Sequence, residues 1–360
     1  MPPKLQRYIT QIIPFGIIFF VFGFIYALLE QGLLGGLHYY PSTGLPYDFE
    51  VSLYFSLSMA GIGLAVGIIE VLYLKKLFVK KSFLQKIFFK TLIYILINYI
   101  FTVIFFPTGA SLDLQTSILD PRVWDRLLIF ITSFTYLSIV VYTALTLIIS
   151  LFYAEISENI GHAVLKNFFT GKYHKPIEEE RIFMFLDMNA STTIAENLGH
   201  IRYFEMLSEY FADISESVIQ YAGEIYQYVG DELVVSWQLK NGLTNNNCIQ
   251  CYYSMKKILV KQTEKYTRKY GLIPTFKAGF HSGKVTVGEI GVVKKDIIFT
   301  GDVLNATARI QSLCKDYEVD MIISGDLIKK LNLESEFRIK SLGENELRGR
   351  KENMILYTVQ

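Results

Sequence analysis

Arg181-Ile182-Phe183-Met184-Phe185-Leu186-Asp187 is a nearly unbroken apolar run that ends on a carboxylate. Such a run reads as a central strand, covered on both faces. A second carboxylate follows 44 residues later (231 − 187), in Tyr228-Val229-Gly230-Asp231-Glu232. That stretch reads as the turn of a hairpin whose arms are Glu224 to Val229 and Leu233 to Trp237. Two carboxylates at the ends of neighbouring strands suit a pair of divalent cations over a triphosphate. Further on, Asn305 and Arg309 stand at an i, i+4 spacing, which puts both on one helix face. An amide and a guanidinium there suit a pentavalent phosphorus centre and its developing charge.

The elements around these anchors follow from local pattern. Thr193 and Glu196 form a T-x-x-E capping box, so a helix is expected directly after Asp187, its N terminus a seat for phosphates. Phe204, Leu207, Phe211, Ile214 and Val218 recur at 3-4-3-4 spacing, which predicts an amphipathic helix over 201–221. A helix is expected over 247–270. Thr275 to His281 and Lys284 to Val287 then read as a second hairpin around Ser282-Gly283, with His281 structural. A helix over 302–315, a strand over 320–323, a helix over 325–331 and strands near 336–341 and 353–359 complete the domain. The resulting order, β-α-α-β-β-α-β-β-α-β, is that of a ferredoxin-like α+β sheet with additions.

The N-terminal half has another character. Residues 1–153 are dominated by Ile, Leu, Phe, Tyr and Gly, and four stretches, 9–29, 51–74, 88–106 and 127–153, are long and apolar enough to cross a bilayer. The first lacks the small-residue cleavage site of a signal peptide. Lys75, Lys76, Lys80, Lys81, Lys86 and Lys90 crowd the second loop, whereas the first loop, 30–50, holds no Lys or Arg. By the positive-inside rule the N terminus and everything after 153 are expected in the cytoplasm of a multi-pass plasma- or inner-membrane protein. Tyr39, Tyr40 and Trp124 fall where an interfacial aromatic belt is expected. Glu70, the acid deep in the second span, is expected to snorkel or to pair with Lys75. The division is thus a four-helix transmembrane anchor at 1–153, a linker helix at 154–175 and a soluble domain at 176–360. A net charge of +1 argues against a nucleic-acid partner. Cys248 and Cys251 form a lone C-x-x-C, read as two helical thiols.

Five segments, in order, resemble the catalytic domain of the class III nucleotidyl cyclases, the adenylyl and guanylyl cyclases. They are FMFLDMNASTTIAENLG (183–199), GEIYQYVGDELVVSW (223–237), AGFHSGKVTVGEIG (278–291), TGDVLNATARIQSLC (300–314) and LRGRKENMILYTV (347–359). The resemblance implies that Asp187 and Asp231, with Met188 beside them, bind two Mg²⁺ or Mn²⁺ per active site. One ion activates the ribose 3′-hydroxyl for in-line attack on the α-phosphorus, the other holds the triphosphate, and pyrophosphate leaves. Asn189 and Thr192, in the turn after the first aspartate, are implied substrate contacts. Asn305 orients the ribose, Arg309 neutralises charge at the α-phosphate, and Arg350, with Arg348 close behind, meets the terminal phosphates. The family draws the metals from one protomer and the N-x-x-x-R helix from the other, which implies a homodimer with shared sites and an NTP substrate, ATP foremost. Two base-reading positions depart from the family pattern: Gln227 stands where Lys or Glu is usual, and Ile298 where Asp or Thr is usual. Gln227 can donate or accept and Ile298 can do neither, so Thr300 is the alternative partner for the base. A catalytically silent cyclase-fold receptor or scaffold in the membrane is the competing expectation, and a cyclase using another NTP such as GTP a lesser one.

Overall fold

The computed structural model of the chain describes residues 2–33, 48–79, 81–333, 337–346 and 353–359. It divides into two compact units, Leu5–Lys166 and Asn167–Gln360, the latter joined by Met1–Lys4.

The first unit is helical. It contains α1 (Pro3–Leu33), α2 (Phe49–Ile69), α3 (Phe83–Leu114), α4 (Pro121–Ile131), α5 (Phe134–Ile160) and the start of α6 (His162–Thr170). Among the described residues, four helices are long and apolar enough to cross a membrane: Pro3–Leu33, Phe49–Leu77, Phe83–Leu114 and Phe134–Ile160. The last differs from the expected 127–153. Ser133 accepts a hydrogen bond from the Tyr136 amide and caps α5, so 121–131 becomes a separate helix with its own Asp120 cap and Pro121 at its start. Glycines let α1 and α2 approach closely: a Cβ at Gly63 would lie 2.6 Å from the Phe15 carbonyl oxygen. Beyond Ile69, α2 continues through a π-helical turn at Glu70–Leu74 and a final turn at Lys75–Leu77. The linker helix expected at 154–175 is interrupted at Gly161, whose φ of 98° ends α5 before α6.

The second unit is an α+β domain built on one sheet. Its elements are β1 (Ile177–Met188), α7 (Ser191–Leu198), α8 (His200–Gln220), β2 (Glu224–Val229), β3 (Glu232–Gln238), α9 (Asn247–Lys261), α10 (Thr263–Tyr270), β4 (Phe276–Ile290), β5 (Asp296–Thr300), α11 (Asp302–Ser312), β6 (Met321–Ser324), β7 (Ile339–Asn345) and β8 (Met354–Val359). The strand order is β2-β3-β1-β4-β6-β8-β7, with β5 pairing on β4. All pairings are antiparallel except β4 with β6.

β1 is central, and both of its faces are buried. Ile182, Met184 and Leu186 pack with Met206, Tyr210 and Tyr252 of the helical layer, and Phe183 and Phe185 pack with Val234, Val285 and Val303 on the other side. Burying a side chain of this size contributes about 1.5–3 kcal/mol.

Two local expectations are corrected. Ser282-Gly283 is no turn: β4 runs straight through, with Gly283 paired to Arg181, and the hairpin turns instead between β4 and β5. Gly283 is needed because a Cβ there would lie 2.6 Å from Cγ2 of Val303 on α11. The Thr193–Glu196 capping box is also not used. α7 begins earlier, at Ser191, behind Ala190 in the left-handed region (φ 54°), and no side chain caps it.

Candidate active site

Asp187 lies at the end of β1, on the sheet face that also carries Phe183 and Phe185. The β1–β3 register places Glu232 directly across from it, and Asp231 occupies the turn one residue earlier. Gly230 takes a φ of 62°, the conformation that lets the hairpin reverse there. Burial and then the neighbouring Asp231 carboxylate push the Asp187 carboxyl above the usual carboxylate range. Burial also raises Glu232 to about 7, helped by the charges of Asp187 and Asp231. Two groups offset this negative charge. The side-chain amide of Gln311 donates to Asp187 Oδ2 at 3.4 Å, and Lys277 Nζ stands 3.9 Å from the same oxygen.

This donor set fits a divalent cation. Two carboxylates adjoin, and the charge of Asp231 raises the proton affinity of Asp187, so a bound cation would relieve the repulsion that a proton otherwise relieves. Met188 contributes differently from the aspartates. Its side chain is fully buried in the core.

The turn after β1 is tied down by its own contacts. The Asn189 amide N–H donates to the Thr275 carbonyl at 2.9 Å, and Asn189 Nδ2 donates to Thr275 Oγ1 at 3.0 Å. Asn189 therefore fixes the turn, and its side-chain donor is engaged before any substrate arrives. Thr192 is exposed in the first turn of α7, whose first backbone N–H groups have no acceptor within the helix.

α11 carries Asn305, exposed, and Arg309, half-buried, above a face of Val303, Ala306 and Ile310 that packs against the sheet. The approach is close: a Cβ at Gly279 on β4 would lie 2.4 Å from the Gln311 backbone nitrogen. The same helix thus presents the amide and guanidinium and sends Gln311 to Asp187.

The base-reading positions lie along β2 and β5. Gln227 is exposed beside a bulge that leaves Tyr226 out of the β2–β3 register. Tyr226 uses this freedom to pack edge-to-face on Phe299 (centroids 4.8 Å apart), and its hydroxyl accepts from the Phe299 amide at 3.3 Å. The buried Arg181 supports the pair: its guanidinium sits 4.6 Å over the Phe299 ring and bonds Glu179 and Glu224, both at 2.8 Å. Ile298 and Thr300 alternate with Phe299 on the other face of β5, and Thr300 Oγ1 donates to the Thr286 carbonyl at 3.4 Å. Arg348 and Arg350 lie outside the described residues.

The sequence reading missed Glu232, Lys277, Gln311 and the β5 platform. Only strand register could have found the first two: each is the Cα partner of Asp187 on a neighbouring strand. His281 is structural as expected, buried with Nδ1 2.8 Å from Ser324 Oγ. Cys248 and Cys251 are buried on α9, and burial raises the Cys248 thiol to about 12, so neither thiol is poised for reaction.

The profile of the adenylate and guanylate cyclase catalytic domain matches residues 173–360. The chain belongs to that family. Among known proteins, adenylate cyclase 2 of Rhizobium meliloti (strain 1021) is 33% identical over 223 residues, which is 62% of this chain and 61% of the relative. Adenylate cyclase 1 of the same organism is 30% identical over 187 residues, 50% of this chain and 27% of the relative. The chain therefore covers less than two thirds of either relative. A solved bacterial light-regulated adenylyl cyclase shares the fold at a TM-score of 0.52 and 20% identity, over 60% of this chain and 63% of that one.

Proposed function

We propose that this chain is a membrane-anchored nucleotidyl cyclase that converts an NTP, ATP foremost, into its 3′,5′-cyclic nucleotide and pyrophosphate. The observation that carries the reading is the placement of Asp187 beside Asp231 at one end of the sheet, with Asn305 and Arg309 on a helix packed against that sheet. The family and the names of the two relatives favour ATP; Gln227 and Ile298 do not decide the base.

Asp187 and Asp231 would hold two Mg²⁺ or Mn²⁺, with the Met188 carbonyl as a further oxygen. When bound, such ions lower the pKa of a hydroxyl and neutralise phosphate charge. The protein's own groups do the rest. Asn305 orients the ribose by hydrogen bonds from its amide. Arg309 lays a permanently charged guanidinium against the α-phosphate, where negative charge builds in the transition state. The exposed backbone N–H groups at the start of α7 receive phosphate oxygens. Tyr226, Phe299 and Arg181 form the support against which Gln227 and Thr300 meet the base. The site is composite in this reading, with the aspartates of one protomer facing Asn305 and Arg309 of a second in a homodimer. The bundle Pro3–Ile160 crosses the bilayer, and the catalytic domain (176–360) lies in the cytoplasm behind the 154–175 linker.

The test is full-length protein in detergent with Mn²⁺ and each of ATP, GTP, CTP and UTP, followed by chromatography of the products. A cyclic nucleotide from one of them is expected. No cyclic product from any, with folded dimers present, would leave a catalytically silent scaffold as the better reading.

A further inference from the structure

The helical unit contains a charged centre that the cyclase reading does not use. Glu70, Lys90 and Glu155 are each at most 4% exposed. Lys90 Nζ bonds Glu70 Oε1 at 2.5 Å and Glu155 Oε1 at 2.8 Å, and Lys86 reaches Glu155 Oε2 at 3.0 Å. The expected partner of Glu70, Lys75, instead pairs with Glu158 at 3.0 Å. Lys86 and Lys90 are not loop residues but lie within the first turns of α3. The three groups come from three helices: Glu70 from the end of α2, Lys90 from the start of α3 and Glu155 from near the end of α5.

Two features show that the backbone is built around this centre. Glu70 opens the π-helical turn, the extra residue that re-aims a side chain in a helix. One helical turn beyond Lys90, the Tyr94 hydroxyl donates to the Val66 carbonyl at 3.1 Å, so one face of α3 grips α2 twice. Glu70 is the least fully bonded member of the centre. Its Oε2 has no hydrogen-bond partner among the described residues, and Glu70 borders a cavity of about 20 Å³, also lined by Gln11 and Tyr153, with room for one water.

Buried ion pairs add little stability over apolar packing of the same volume. In a bundle otherwise made of Ile, Leu and Phe, what they supply is a single register, because the charges meet in one arrangement only. We infer that Glu70, Lys90 and Glu155 form an ion lock that fixes α5 against α2 and α3, and that catalytic output depends on the lock being closed. α5 is the element that leads by chain continuity through Gly161 and α6 into the cyclase domain. The catalytic half of this inference rests on the cyclase reading above.

The experiment uses the full chain in lipid vesicles, with spin labels on Leu77→Cys and Ile160→Cys, both exposed, diluted with unlabelled protein. The three native cysteines are buried and escape labelling. The triple variant E70Q/K90M/E155Q keeps side-chain volume and leaves Lys86 the single charge without its carboxylate, at the rim of the centre with a side-chain exposure of 21% that lets it turn to solvent. Expected are a distance distribution at least about twice as wide as in the wild type and a cyclase rate per folded protein at least about fivefold lower. An unchanged distribution overturns the lock, and a broadened one with wild-type turnover overturns its coupling to catalysis. If the triple variant does not fold, E70Q alone, which keeps Lys90 on Glu155, should broaden the distribution less and lower turnover about twofold; wild-type values overturn the inference. Should the unmutated protein make no cyclic nucleotide, the cyclase reading fails, while the distances still decide the lock.

Discussion

The two units use clustered charge in opposite ways. In the helical unit, two carboxylates and two lysines from three helices satisfy one another, and the centre is closed. At the end of β1, three carboxylates, Asp187, Asp231 and Glu232, gather with one distant lysine and one amide, and burial and mutual repulsion raise two of them. The first centre is neutral and holds structure. The second carries unrelieved repulsion, as a cation site would: repulsion accepted during folding would be released on binding an ion. Removing one charge should therefore have opposite consequences in the two places.

The largest effect is expected from Asp187→Ala. Turnover should fall about a thousandfold or more, the scale of several kcal/mol of charge stabilisation from a bound cation, while the metal-free protein melts higher than wild type because a repulsive carboxylate is gone. Arg309→Ala should also be inactive alone. Co-expressed with Asp187→Ala at equal levels, it should restore about a quarter of wild-type activity, since half of random dimers carry one complete site. Dimers that show no recovery would rule out the shared site.

Lys90→Met tests the other centre. It leaves Glu70 buried without its lysine and Glu155 with Lys86 alone, so a loss of about 3–5 kcal/mol is expected, read as a lower melting temperature or poor recovery from membranes. If Lys90→Met melts like wild type, the neutral, structure-holding half of the contrast is wrong.

Gly279→Ala should cost about 1–3 kcal/mol, because its Cβ would meet the Gln311 backbone, which has no flexible end to move aside. The same change should displace α11 and lower turnover, whereas Gly230→Ala, whose Cβ meets nothing, should affect only the hairpin. Equal melting temperatures for Gly279→Ala and wild type would show that the close approach of α11 to β4 does not constrain the site.

Which features were legible in the sequence follows from the range of the forces involved. β1 could be read because six successive buried residues leave no alternative to a central strand, and the i, i+4 pair on α11 because helix geometry alone sets it. The β4 error arose because Ser282-Gly283 has the composition of a turn while its glycine answers to Val303, far along the chain. The start of α7 was misplaced for a similar reason. Asn189 is anchored to Thr275, which fixes Ala190 in a conformation that alanine rarely adopts. Glu70 was matched to its nearest lysine in sequence, and the structure gives it Lys90 on another helix. Charges could be located from the sequence; their partners required the fold.

The smallest expected effect concerns protons. Glu232 titrates at about 7 in the folded state against an ordinary 4.5, and Asp187 is shifted in the same direction. A carboxyl with a raised folded-state pKa binds protons more tightly than in the unfolded chain. Its favourable contribution is complete below the ordinary value and disappears as pH rises through 7. The metal-free protein should therefore lose a few degrees of melting temperature between about pH 5 and pH 8 from this site. Glu232→Gln should flatten that slope, and Mn²⁺ should oppose it, with apparent metal affinity rising over the same interval as protons leave. The closed centre provides the control: E70Q/K90M/E155Q should keep the wild-type slope whatever it does to absolute stability. If the slope persists in Glu232→Gln and vanishes in the triple variant, the frustrated charge lies in the helices and not at the sheet end, and the contrast between the two units is inverted.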